Sequence, residues 1–288
     1  MTGVKIDGLE VARVVKTRVK EAAEQLRLDG TNPCLATILV GDDASSATYI
    51  TNKHKACKEC NIDTRDNKLP ANITQKDLEI LVDKLNRDDS VHGILIQIPL
   101  PKHIDEFAIM SKISPLKDVD GLTIHNSGLL DKGKAALIAC TPLGIMELFN
   151  HYNIKLEGKH VIIINRSSLI GKPLHHLLLN SNATVTTCHS KTINIKELCK
   201  NADIIITAVG DRTKFTLKAD MIKEGAVIID AAITRYDGKL TGDTDFSQII
   251  EKASFVTPVP GGVGPMTVAM LLKNTITATS LCNRLGRF

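Results

Sequence analysis

The sequence predicts an α/β protein of two domains built on parallel sheet. Three observations predict it. The chain has 288 residues, room for about two domains of 100–200 residues each. Short apolar runs alternate with segments of helical periodicity, the pattern that βαβ crossovers and a parallel sheet produce. The units become shorter after Thr141-Pro142, which places a boundary near Thr141. An antiparallel α+β arrangement of the same elements is the alternative.

The elements follow in order. "LEVARVVKTRVKEAAEQLRL" carries Val11, Val15, Val19, Ala22 and Leu26 on one apolar stripe, with Asp7 or Gly8 at its start and Gly30 at its end. "CLATILV", closed by Gly41, reads as a buried strand. "SSATYITNKHKACKECN" reads as a helix capped by Asp43 or a serine. "TQKDLEILVDKLN" is another, with Thr74 and Asp77 spaced as a capping pair. "GILIQIPLP" is a second buried strand that stops at Pro-Leu-Pro. Thr141 reads as a cap before a proline at the first helical position. Beyond it, "HVIIIN", "TVTTC", "DIIITAV" and "AVIIDAA" read as strands. Between them, "GKPLHHLLLNS", "NIKELCKNA" and "LKADMIKEG" read as helices. A last helix, about 265–282, is expected to return to the first domain. The expected domains are therefore 1–140 with 268–288, and 141–267, the second a Rossmann-like, doubly wound parallel sheet.

Composition excludes several classes. The net charge of +4 is spread out, and no basic stripe with interleaved aromatics points to nucleic acid. No apolar run approaches the roughly 20 residues that span a membrane. The start, "MTGVKIDGLE", has neither a secretory apolar core nor an arginine-rich organelle face, so a cytoplasmic location is expected. Seven scattered cysteines argue against a disulfide framework. Cys57 and Cys60 form a C-x-x-C without a second pair, so no metal site is expected. His54, His175 and His176 lack a third ligand at a sensible spacing and read as surface or core histidines.

In open parallel sheets, ligands bind beyond the carboxyl ends of strands. The turn after "HVIII" is "NRSSLIGKPLHH", which lacks the G-x-G-x-x-G fingerprint. It keeps the parts of an anion site. Ser167 and Ser168 precede a helix, and Arg166 offers a fork suited to phosphate; an arginine here favours NADP over NAD. Solvated basic surface is the plain alternative. Ser190, beside His189 after "TVTTC", is placed to reach a ribose or phosphate.

Tyr49 and Lys53 stand four apart on one helical face, whereas Lys55 and Lys58 point elsewhere. Gln97 ends a strand of Ile and Leu, where an unpaired amide costs about 1–3 kcal/mol, and a lysine is a natural partner. Asp118 and Asp120 share a loop closed by Gly121. A desolvated lysine beside a glutamine suits acid–base work near neutrality. Core-edge, strand-cap and turn roles are the plain readings of Tyr49, Gln97 and Asp120.

With these residues assembled, the chain resembles the methylenetetrahydrofolate dehydrogenase/cyclohydrolase family over essentially its whole length. "YITNKHKAC" is similar to the family's Y-x-x-x-K helix, "QIPLP" to its Q-L-P-L-P strand end and "PLKDVDGLT" to its P-x-K-D-V-D-G loop. "NRSSLIGKP" resembles G-R-S-x-x-V-G-x-P, "TVTTCHSKT" resembles T-V-T-x-C-H-S-x-T, and "TPVPGGVGPMTVAML" is close to the most specific signature. The resemblance implies oxidation of 5,10-methylenetetrahydrofolate by NADP and hydrolysis of the methenyl product to 10-formyltetrahydrofolate. It implies a cleft between a folate-binding catalytic domain and a cofactor domain, a homodimer, and a place in one-carbon metabolism that feeds purine biosynthesis. Lys53 would be the catalytic lysine, held by Gln97; Tyr49 would stack on the folate and Asp120 would bind the pterin edge. Asn165, Arg166, Ser167, Ser190 and Ile233 would contact the cofactor. Pro260, Gly261 and Gly262 would lie beside the substrate, with Gly264 keeping the loop thin and Pro258 and Pro265 stiffening it.

The cofactor half departs from the pattern. Asn165 stands where the family has glycine, and "IIDAAITR" puts Ala231-Ala232 and Thr234 in place of Val-Gly and Asn. These departures keep NAD open as the cofactor. They also leave a mainly hydrolytic enzyme with weak dehydrogenase activity as an alternative. A non-catalytic folate- or nucleotide-binding paralogue is the third reading, opposed by Lys53, Gln97 and Asp120.

Overall fold

The structure, a computed structural model, describes residues 2–285; the side chains of residues 44–48 and 285 lie outside the described set, and with them the serines expected as helix caps. In chain order, β1 is Val4–Lys5, α1 Gly8–Leu28, β2 Cys34–Val40, α2 Ala44–Glu59 and β3 Asp63–Leu69. Next come α3 Gln75–Arg87, β4 Gly93–Ile96, α4 Glu106–Lys112, α5 Ile124–Asp131 and α6 Cys140–His151. The second half holds β5 His160–Ile164, α7 Gly171–Asn180, β6 Thr184–Cys188, α8 Ile195–Lys200, β7 Ile204–Thr207 and β8 Val227–Asp230. It closes with β9 Thr234–Tyr236, β10 Lys239–Thr241, α9 Phe246–Ile249, β11 Phe255–Val256 and α10 Val263–Leu285.

The chain divides into two compact units, Val14–Cys140 with Val268–Phe288, and Met1–Arg13 with Thr141–Thr267. The first holds a parallel sheet in the order β3-β2-β4. All seven residues of β2 are buried, as a central parallel strand requires. Ile38, Leu78, Val82, Ile94 and Ile109 are among the side chains that build its core. Asp7 accepts from the backbone N–H groups of Leu9 and Glu10 at the start of α1. Thr74 caps α3 by accepting from Asp77 N–H, as the spacing predicts.

The second unit holds a six-stranded parallel sheet in the order β1-β11-β8-β7-β5-β6. The chain moves from β5 to β6 on one side and then to β7 on the other. The order therefore reverses between β5 and β7, and their carboxyl ends flank the crevice where such sheets bind ligands. Ile162, Ile205, Ile228 and Val256 are among the core side chains beneath it.

Four features differ from the sequence reading. Residues 1–13, expected with the first domain, join the second unit because β1 pairs in parallel with β11 and extends its sheet. "LKADMIKEG" holds only a single 3-10 turn, Ala219–Met221, since Leu217 is tied to Asp243 and Asp245 by backbone hydrogen bonds. α6 begins at Cys140, so Thr141 lies inside the helix, and its hydroxyl pairs with that of Thr267 at 2.9 Å. The strands β1, β3, β9, β10 and β11 and the short helices α4, α5 and α9 are absent from the sequence reading. β3 is polar and largely exposed at a sheet edge, so it shows no apolar run. The β9–β10 hairpin turns on Asp237 and Gly238, both at positive φ.

Candidate active site

The first unit gathers Tyr49, Lys53, Gln97 and Asp120. One face of α2 presents Lys53, which is 8% exposed, and Tyr49, whose ring centroid lies 5.5 Å from the Lys53 ammonium. Lys53 Nζ donates to Gln97 Oε1 at 3.1 Å, while Gln97 Nε2 donates to Ile98 O at 2.9 Å. Both halves of the carboxamide are thus committed, so its oxygen is fixed toward the lysine. Gln97 N–H donates to Ile38 O and anchors this residue to the end of β2.

Asp118 and Asp120 have different tasks. Asp118 is fully buried and accepts from the backbone of Leu122 and Thr123 and from Asn126 Nδ2, so it holds the loop into α5. Burial pushes the Asp120 carboxyl up, Lys53 pulls it down and Asp118 pushes it up again. Gly121 follows at φ +64°, and a Cβ there would sit 2.4 Å from Ile138 C. The Cys140 thiol, raised by burial and by Asp120, donates toward Val119 O at 3.4 Å and Asp120 Oδ1 at 3.6 Å. Asn274, on α10 and almost fully buried, donates through Nδ2 to Val119 O at 2.7 Å and Ile138 O at 2.8 Å.

In the second unit, the turn after β5 places Asn165, Arg166 and Ser167 at the switch point. Arg166 is exposed, and so is Ser190, which follows the paired strand β6. Asn165 does more than replace a small residue. Its Oδ1 accepts from Ser167 N–H at 2.8 Å, Ser167 Oγ at 2.7 Å and Gly171 N–H at 3.1 Å. Its Nδ2 donates across to Ala208 O at 2.7 Å, in the loop after β7.

The same unit holds an apolar cavity of about 280 Å³ at the carboxyl ends of β8 and β11. Ile233, Ala232, Pro260, Gly261, Gly262 and Leu9 are among its lining residues. Gly262 has a reason inside the protein to lack a side chain, because a Cβ would stand 2.5 Å from Pro258 O. Asp230, buried under the cavity and raised in pKa by that burial, accepts from Ala232 N–H and from Thr244. Asp243 accepts from Thr207 Oγ1, Val209 N–H and Gly210 N–H. Two carboxylates thus fix the loops that follow β7 and β8.

Comparison with known proteins decides the family. The catalytic-domain model of tetrahydrofolate dehydrogenase/cyclohydrolase matches residues 6–120, and its NAD(P)-binding-domain model matches residues 139–283. The chain belongs to the tetrahydrofolate dehydrogenase/cyclohydrolase family. It is 64% identical to the "Bifunctional protein FolD" of Nitrosopumilus maritimus, with 100% of both chains covered. The protein of the same name from Cenarchaeum symbiosum is 61% identical, over 98% of this chain and 100% of that one. Among solved structures, the bifunctional FolD of Campylobacter jejuni superposes with a TM-score of 0.94 at 45% identity, covering 98% of this chain and 99% of that one. The Trypanosoma brucei enzyme, solved with NADP cofactor and an inhibitor, superposes at 0.92 and 38% identity, with 99% of both chains covered.

Within this dehydrogenase/cyclohydrolase frame, the structure brings Tyr49, Lys53, Gln97 and Asp120 into the first unit. Pro260, Gly261 and Gly262, expected beside the substrate, line the cavity of the second unit with Ile233. Four side chains near these sites escaped the sequence reading. Asn274 is a lone amide in the apolar stretch "MLLKNTITA", and Asp230 ends a strand at the sheet's carboxyl edge; both signals were present. Cys140 and Asp243 carry no local pattern. Among the other thiols, burial pushes Cys57 up to about 12 and also raises Cys60, which suits packing rather than redox chemistry. His54 pairs with Asp66 at 2.8 Å, and His175 Nδ1 lies 3.1 Å from Thr187 Oγ1.

Proposed function

We propose that the chain oxidises 5,10-methylenetetrahydrofolate with NADP and hydrolyses the methenyl product to 10-formyltetrahydrofolate, with Lys53 as the group that assists hydration. The observation that carries this is the buried ammonium of Lys53, oriented by Gln97 and flanked by the Tyr49 ring. The hydrogen bond to Gln97 uses one of its three N–H donors. The others can orient water at the one-carbon bridge and stabilise charge as the carbon–oxygen bond forms. Tyr49 offers its ring to the pterin or aminobenzoyl plane, and Asp120 accepts from the pterin's polar edge.

The second unit supports NADP binding with two features. Arg166, Ser167 and Ser190 stand at the carboxyl ends of two paired strands, where a ribose and its 2′-phosphate find a cation and hydroxyls. The apolar cavity lined by Ile233, Ala232 and Pro260–Gly262 has a size and lining that suit a planar nicotinamide. When bound, NADP supplies the hydride acceptor for the first reaction. The unit at 14–140 with 268–288 would hold folate and that at 1–13 with 141–267 the dinucleotide. A cytoplasmic homodimer that feeds purine biosynthesis extends the same reading. Among the described residues, no helix is long and apolar enough to cross a membrane.

The test uses purified protein and methenyltetrahydrofolate without any dinucleotide. Loss of the methenyl absorbance well above the spontaneous rate is expected. A rate equal to buffer alone would overturn the Lys53 assignment and the hydrolytic half of the proposal.

A further inference from the structure

The Asn165 carboxamide makes hydrogen bonds on both sides of the β5/β7 switch point. Its oxygen gathers Ser167 N–H, Ser167 Oγ and Gly171 N–H, which shapes the turn from β5 into α7. The Ser167 hydroxyl also accepts from Ile170 N–H at 3.2 Å, so one amide organises the whole entry to the helix. Its nitrogen reaches the other side, donating to Ala208 O at 2.7 Å. The loop on that side is held again by Asp243, through Val209 N–H and Gly210 N–H. A chain of polar contacts thus runs from Gly171 through Asn165 to Ala208 and then to Asp243.

We infer that Asn165 is a positioning residue for the dinucleotide: it clamps the loop after β5 to the loop after β7 and sets the crevice between them before the cofactor arrives. This rests on the NADP reading above. Two physical consequences follow. The backbone donors of Ser167 and Gly171 are already satisfied, so they are not the groups that grip a diphosphate. Affinity depends instead on loops that are ordered in advance, which spares the ordering cost on binding. A glycine at this position would leave the turn without its oxygen and Ala208 O without its donor.

The experiment compares the unaltered protein with Asn165→Gly and Asn165→Asp in three measurements. NADPH affinity is read by titrating the fluorescence of NADPH itself. Hydrolysis of supplied methenyltetrahydrofolate without dinucleotide reports the other unit. Hydrogen–deuterium exchange of peptides covering 165–172 and 205–212 reports the clamp directly. Asn165→Gly is expected to weaken NADPH about tenfold, to speed exchange in both peptides, and to leave hydrolysis within about twofold. Asn165→Asp keeps the acceptor but loses the donor, so exchange should rise at 205–212 and stay slow at 165–172.

NADPH affinity that is unchanged or tighter in Asn165→Gly would overturn the inference; tighter binding would show that the carboxamide blocks the cofactor. Unchanged exchange at 205–212 would also overturn it, by showing that Ala208 is held without Asn165. If the unaltered protein did not bind NADPH, the NADP reading itself would fall, whereas the exchange result would still decide whether the clamp exists.

Discussion

Replacing Lys53 with methionine keeps the apolar stem and most of the length of the side chain while deleting the ammonium. The bond lost to Gln97 spans 3.1 Å, and hydrogen bonds to charged groups contribute about 1.5–3 kcal/mol. Gln97 is only half-buried, so water can recover part of that loss. Methionine also removes the cost of holding a charge in a site that is 8% exposed. The two effects oppose, and the net change in folding stability should stay within about 1 kcal/mol. Catalysis has no such compensation. A positioned acid–base group contributes about 10²–10⁴-fold, equivalent to roughly 2.7–5.5 kcal/mol of barrier. Steady-state hydrolysis of methenyltetrahydrofolate should therefore fall by that factor, with the urea midpoint and NADPH affinity nearly unchanged. A folded variant that hydrolyses within threefold of the unaltered rate would show that the Lys53 ammonium does not assist hydration.

Further predictions concern the supports of both units. Asn274→Ala leaves the carbonyls of Val119 and Ile138 without the donor that now stands 2.7 and 2.8 Å away. Val119 O keeps the Cys140 thiol as a donor, so with about 1–3 kcal/mol for a buried group left unsatisfied, urea denaturation should show a loss of about 1–3 kcal/mol; an unchanged midpoint would contradict this. Asp88 is held down to about 2 from its ordinary 3.8, first by the Ser90 hydroxyl and then by Arg65. An acid whose pKa falls on folding adds stability above its unfolded pKa and loses it as pH drops from about 4 toward 2. With screening by solvent the gain is about 1 kcal/mol. Asp88→Asn should thus be less stable than the unaltered protein at pH 7 and equal to it near pH 2, and a gap independent of pH would count against the carboxylate's role.

Much of this site was legible because its parts sit in short, chemically distinctive runs. The four-residue spacing of Tyr49 and Lys53, and a glutamine ending an apolar strand, led to a contact that the structure contains. The apolar central strands were equally clear, since parallel strands buried on both faces read as continuous Ile and Val. What was hidden depends on tertiary partners. β3, "DTRDNKL", is a strand because β2 offers it a ladder, not because its side chains seek burial. β1 and β11 are two residues each, too short to leave a period in the sequence, yet their pairing moves the first thirteen residues into the other unit. "LKADMIKEG" has helical spacing, but the backbone bonds of Leu217 to Asp243 and Asp245 override it. In the sequence, Asn165 is only a departure from the family's glycine. Its value lies in Ala208, 43 residues away in sequence.

The most direct test supplies purified protein with 5,10-methylenetetrahydrofolate and either NADP or NAD, and follows reduced dinucleotide together with the folate product. NADPH formation with release of 10-formyltetrahydrofolate is expected, with slower reduction of NAD. Neither dinucleotide being reduced, by protein that hydrolyses supplied methenyltetrahydrofolate, would contradict it.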